Sequence, residues 1–149
     1  MTEFIYLHGF ASGPNSNKAC VFKNRFEELN IPLHVPDLQE GDFENLTLSR
    51  QVKLVQNIID AEKHKSFALI GSSMGGYLAS LLAQNRESVK ALYLMAPGFN
   101  FLNRWRQKLK LEEKLSETTL IPVFHYRYNK EVFLNTHLFQ DAETWESLP

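Results

Sequence analysis

Phe67-Ala68-Leu69-Ile70-Gly71-Ser72-Ser73-Met74-Gly75-Gly76 is a short apolar run that breaks into a G-x-S-x-G pattern and leads into an apparent helix running to Asn85. Strand, tight turn, helix is the order a nucleophile elbow requires. A hydroxyl lifted clear of a sheet needs a turn so sharp that the nucleophile's backbone is strained and its neighbours are small. Gly71 and Gly75 leave room for that turn, and Gly76 carries the permissive stretch into the first helical turn. In this frame Ser73 is the reactive serine. Ser72 is excluded, because Ile70 would then occupy a position where close approach demands glycine. The competing reading is a glycine-rich strand-to-helix connection that merely contains a serine.

A second motif favours the reactive serine. Phe4-Ile5-Tyr6-Leu7 reads as a buried strand that ends in His8-Gly9-Phe10, followed by Ala11-Ser12-Gly13-Pro14. Acyl transfer at a serine needs two backbone N–H groups that converge on the carbonyl oxygen as it gains charge. The residue after the nucleophile, Met74, supplies one, and the loop after the first strand supplies the other, with Phe10 the natural donor. His8 reads as a brace for this loop rather than a base, and Gly9 as support for the turn.

The two motifs, in this order and at this separation, resemble the α/β-hydrolase superfamily. The opening Ile5-Tyr6-Leu7-His8-Gly9-Phe10-Ala11-Ser12-Gly13-Pro14 resembles the small bacterial YqiA-like esterases, and the likeness runs over about residues 2 to 98. It implies an α/β-hydrolase fold, a mostly parallel sheet flanked by helices, and hydrolysis of a small ester or thioester by a serine, an acid and a histidine in that chain order. The histidines are His8, His34, His64, His125 and His137, and none follows Asp141, the only aspartate after Ser73. A formal Ser73, Glu113, His137 order exists, with neither partner at the end of a recognisable strand. The expectation is therefore a C-terminally incomplete chain in which Ser73 lacks its base, with His125 and His137 as packing or surface residues. The alternative is a non-catalytic relative that binds a small acyl ligand or a partner protein.

Lys+Arg 16 against Asp+Glu 17 gives a formal net charge of −1, which offers no broad attraction to nucleic acid or an anionic membrane. With 149 residues a single domain is expected. The lone Cys20 cannot form an internal disulfide and reads as a small buried residue on a helix. The acidic start and the short first apolar run do not resemble a signal peptide, and no long apolar stretch follows, so a cytoplasmic location is the default expectation. The histidines lack close pairing with acids or a second cysteine, and the glycine-rich turn lacks a Gly-Lys-Ser/Thr ending, so no metal, nucleotide or other cofactor is expected.

Alternating strand and helix signals predict a parallel sheet. Helices are predicted over 17–29, closed by Asn30, and over 47–64, where Leu48, Val52, Val55 and Ile59 recur at helical spacing. Strands are predicted over 31–35, near an edge because of Pro32 and Pro36, and over 91–96. Asp37 reads as a loop-capping carboxylate. These elements form a core over 1–98. Residues 99–149 hold half of the chain's aromatics, and the resemblance implies that this segment after the fourth strand is cap-like. Within it, a hairpin around Asn129-Lys130 and a helix over 138–145 are expected. Its aromatics either wall the substrate site or form the cap's own core, and the basic run Arg104, Arg106, Lys108, Lys110 reads as a solvated helix face. The strand over 91–96 is left as an open edge through which a homodimer could form.

Overall fold

The computed structural model describes residues 1–109 and 118–145. Strand β1 (Thr2–Leu7) and strand β3 (Ser66–Ser72) lie side by side in the middle of a four-stranded sheet, with β2 (Leu33–His34) outside β1 and β4 (Val89–Met95) outside β3. All three pairings are parallel. Pairing of Tyr6 with Ile70 and of Leu7 with Gly71 brings the carboxyl ends of β1 and β3 level. The strand expected over 31–35 shrinks to two residues. Pro32 and Pro36 bracket it, and proline cannot extend a ladder.

Alternation along the strands sorts side chains to two faces. Ile5, Leu7, Phe67 and Leu69 point into the main core, against helix α2 (Leu48–Ala61) and helix α3 (Met74–Gln84). Tyr6 and Ile70 point the other way and pack with Ala19, Phe22 and Phe26 of helix α1 (Asn17–Glu28). Each helix starts where its sequence dictates. The Ser16 hydroxyl accepts from the Ala19 amide, and the Thr47 hydroxyl accepts from the Arg50 amide. Such caps are worth about 1 kcal/mol each. Asn30, at φ 54°, turns the chain out of α1, a conformation asparagine tolerates better than most residues. The buried stripe of α2 includes Leu48, Val52, Val55 and Ile59, the periodic positions of the sequence.

Beyond β4, helix α4 (Phe101–Leu109), the antiparallel hairpin β5 (Leu120–His125) and β6 (Lys130–Asn135), and helix α5 (His137–Glu143) follow. Pro122 sits within β5, which among the described residues pairs with β6 alone, leaving on its other side room for a residue without an N–H. Phe101, Val123, Leu134, Leu138, Phe139 and Ala142 are buried in the same cluster as the sheet's main face. Asp141 accepts a hydrogen bond from the Ser49 amide at 2.8 Å and so caps the first turn of α2 from a distant part of the chain. Cys20 is half-buried rather than buried, with Sγ 3.5 Å from the Asn15 carbonyl oxygen. Arg106 also departs from expectation: it ion-pairs with Glu143 and is only 21% exposed, whereas Arg104 and Lys108 are exposed. Lys110 lies outside the described residues. No helix among the described residues is long and apolar enough to cross a membrane.

Candidate active site

With strand order β2-β1-β3-β4, α1 leaves β1 on one face of the sheet and α3 leaves β3 on the other. The crevice between their carboxyl ends is the switch point where α/β sheets place their ligands. His8-Gly9-Phe10 and Ser73-Met74 both lie there.

Ser73 stands between β3 and α3 at φ 54° and ψ −119°, a region that L-residues other than glycine avoid. Its backbone is held on both sides. The Ser73 amide donates to the Met95 carbonyl at 3.0 Å, and the Ser73 carbonyl accepts from the amides of Gly76, Tyr77 and Gly98 at 2.9, 3.2 and 2.7 Å. The side chain is exposed although Ser72 and Met74 are buried. Among the described residues Ser73 Oγ has no hydrogen-bond partner.

Two glycines make this turn possible through lack of bulk. A Cβ on Gly75 would lie 2.1 Å from the Leu7 carbonyl oxygen, and one on Gly71 would lie 2.5 Å from the Gly75 carbonyl oxygen and the Gly76 Cα. The start of α3 therefore rests directly on the end of β1. Gly76 is nearly as confined, 3.0 Å from Pro97 Cβ. Gly9 brings its loop against the elbow, where a Cβ would stand 3.5 Å from Ser73 Cβ. Neither the Phe10 amide nor the Met74 amide donates to a partner among the described residues.

His8 is a buried brace. Its Nδ1–H donates to the Gly9 carbonyl at 2.9 Å and its Nε2 accepts from the Leu38 amide at 3.0 Å. That bonding uses both nitrogens in the neutral form. Burial holds its pKa below the usual histidine value, opposed by the Gly9 bond and Asp37. Asp37 accepts from the Gln39 amide at 3.1 Å, the expected turn cap, and also from Arg127 at 3.0 Å.

The remaining histidines are elsewhere. His125 is fully buried, donates to Gln39 Oε1 at 2.6 Å and stacks on Tyr128 with ring centroids 4.2 Å apart. Burial, then the Arg127 charge, lowers its pKa. His34 faces Glu3 across β1 and β2, His64 is exposed after α2, and His137 is exposed on α5 with Nδ1 3.2 Å from Gln140 Oε1. None contacts Ser73. Glu113 lies outside the described residues.

A cavity of about 750 Å³ opens beside Ser73, lined by Gly9, Phe10, Tyr6, Ser72 and Tyr126 among others. Of the aromatics in 99–145 only Tyr126 lines it. Trp105 instead packs edge-on against Phe10, with ring centroids 4.9 Å apart, and Phe101 against Tyr77 at 5.6 Å. These rings belong chiefly to the core and hold the loop that carries the Phe10 amide. What sequence reading missed is the tie between the hairpin and this loop. The Tyr126 amide donates to the Ala11 carbonyl at 2.9 Å, and Gln39 joins the Ser12 carbonyl to His125. Only the polar Gln39 and His125 hinted at it, and nothing in their spacing pairs them.

Comparison with known proteins bears on the fold and the family. A protein of Mycoplasma pneumoniae designated esterase/lipase 2 is 39% identical over 101 residues, covering 64% of this chain and 37% of the relative. The bovine monoacylglycerol lipase ABHD6 is 28% identical over 133 residues, covering 81% of this chain and 39% of its own length. Among solved structures, Est1E from Butyrivibrio proteoclasticus with ferulic acid bound superposes with a TM-score of 0.75 at 19% identity, covering 97% of this chain and 61% of that one. Mouse α/β-hydrolase domain-containing protein 10 gives 0.68 at 23%, covering 95% and 60%. The chain thus spans well under half the length of the curated relatives and about three-fifths of the solved hydrolases. The profile of the uncharacterised protein family UPF0227 matches residues 3–145, so this chain belongs to that family, and its sheet and helices have the α/β-hydrolase fold of the solved structures.

Proposed function

We propose that the protein is a serine hydrolase of small esters or thioesters, with Ser73 as the nucleophile. In this reading Ser73 Oγ bonds to the substrate's carbonyl carbon, and the carbonyl oxygen becomes an oxyanion held by the Phe10 and Met74 amides. Collapse of that intermediate breaks the bond to the alcohol or thiol, which leaves with a proton, and water then releases the acid from the acyl-serine. The observation that carries the reading is an exposed serine held at a positive φ between buried neighbours, where backbone strain marks a functional position. The names of the Mycoplasma and bovine relatives support the same chemistry. The described part of residues 99–149 acts in this reading as a cap: its hairpin fixes the oxyanion loop, and Tyr126 and Arg127 close one side of the cavity.

A base is needed to activate the hydroxyl, and no described histidine touches it; the reading assigns that role to a residue not among those described. A fluorophosphonate probe tests the proposal. The 149-residue chain is expected to label slowly, at Ser73 alone by peptide mass spectrometry, with labelling abolished in Ser73→Ala. Rapid stoichiometric labelling would mean that a base is already present. Absence of labelling after long exposure, with saturable binding of an acyl ligand in the cavity, would favour the second reading. That reading, a non-catalytic acyl-ligand binder, draws its support from the missing imidazole contact at Ser73.

A further inference from the structure

The cavity beside Ser73 carries more charge than an acyl-binding wall needs. Its lining includes two cations, Lys18 and Arg127, with Ser12, Asn15 and Ser16, and no carboxylate among the described residues. Arg127 is already committed: its Nη1 lies 3.0 Å from Asp37 Oδ2, its guanidinium sits over the Tyr128 ring at 5.6 Å, and its stem packs against Gly13. Lys18 differs. It is exposed, its Nζ donates to Ser72 Oγ at 3.3 Å, and it makes no ion pair among the described residues. Ser72 is the residue before the proposed nucleophile, so the ammonium is anchored one residue from the reacting hydroxyl. Tyr6 and Ser16 line the same wall of the cavity as Ser72. Lys23, outside this lining, donates to Asn15 Oδ1 at 2.8 Å and makes no ion pair among the described residues.

An ammonium whose acceptor is a single neutral hydroxyl gains a stronger, charge-assisted bond when a carboxylate replaces it. A recessed site with low-dielectric walls concentrates that attraction. We propose that Lys18 is a specificity-determining residue that selects acid-bearing esters, of which the half-ester of a dicarboxylic acid is the simplest. The carboxylate would meet Lys18 while the ester carbonyl lies at Ser73, so the inference rests on the serine-hydrolase reading.

Binding rather than turnover tests it. Titration of the isotopically labelled chain with monomethyl succinate and with neutral dimethyl succinate, followed by amide chemical shifts, reads both affinities. The half-ester is expected to perturb Lys18, Ser72 and Ser73 saturably and to bind about tenfold more tightly than the diester, with the preference shrinking as salt rises. Lys18→Gln is expected to bring the two affinities within about twofold, and Lys63→Gln, at an exposed position after α2, to leave the preference intact. Equal affinities in the unmodified chain, or a preference that survives Lys18→Gln, would overturn the proposal. The hydrolase reading fails separately, through absent fluorophosphonate labelling at Ser73. A charge preference without labelling leaves an anion-selective binder, and labelling without a preference leaves a hydrolase that does not select acids.

Discussion

Ser73 holds a backbone geometry that glycine would adopt without strain, and three amides gripping its carbonyl keep it there. Such strain costs on the order of 1–3 kcal/mol. Ser73→Gly is therefore expected to raise unfolding stability by about 1 kcal/mol in urea titration while abolishing labelling; a loss of stability would refute the strained-elbow account. Gly75→Ala is the opposite case. Its Cβ would meet the Leu7 carbonyl oxygen at 2.1 Å, and backbone cannot step aside as a side chain does. A destabilisation of about 2–3 kcal/mol is expected from overpacking, and a urea midpoint unchanged from the parent chain would contradict that contact. His8 gives a pH signature. It is neutral when folded, with its pKa below 6.5, so the unfolded chain takes up its proton first as pH falls. Stability is expected to be full above about pH 6.5 and to decline below it, down to the folded-state pKa. His125 adds to the same decline. Thermal melts between pH 5 and 8 measure it, and stability that rises on acidification would show these imidazoles to be charged in the fold.

Among the elements, the hairpin β5–β6 matters most to the site, because it braces the loop that follows β1. Its tip meets that loop through the Tyr126 amide on Ala11, the Arg127 pair with Asp37, and the Gln39 bridge from the Ser12 carbonyl to His125. Ala11 is itself at φ 52°, so the loop needs outside support to keep its shape. Gln39→Ala leaves the buried His125 Nε2–H without its acceptor, which costs about 1–3 kcal/mol. Faster hydrogen exchange at the Tyr126 amide is expected with it. Unchanged exchange there would mean that hairpin and loop are held independently.

At the scale of the whole molecule, the sheet is covered on both faces around β1 and β3 but not along β4. Among the described residues β4 pairs with β3 alone, and Leu92 and Tyr93 are 41% and 59% exposed. Unpaired strand groups beside exposed apolar side chains form a template for another strand. Concentration-dependent association is expected in sedimentation experiments, weakened when Leu92 and Tyr93 are both changed to Lys. A chain that stays monomeric at high concentration would remove the expected edge-to-edge dimer.

The sequence by itself determined the alternation of strands and helices, the α2 stripe from Leu48 to Ile59, and the sharp strand-to-helix turn at Ser73. Each rests on local rules: apolar period, cap chemistry, and the small residues a sharp turn demands. Tertiary structure alone decided that Asp141 caps α2, that Trp105 braces Phe10 instead of walling a substrate, and that His125 is buried against Gln39. Those contacts join residues dozens of positions apart, and no spacing rule encodes them. They exist because α4, the hairpin and α5 fold back onto the main face of the sheet, where burial obliges each polar group to find whatever partner the packing brings.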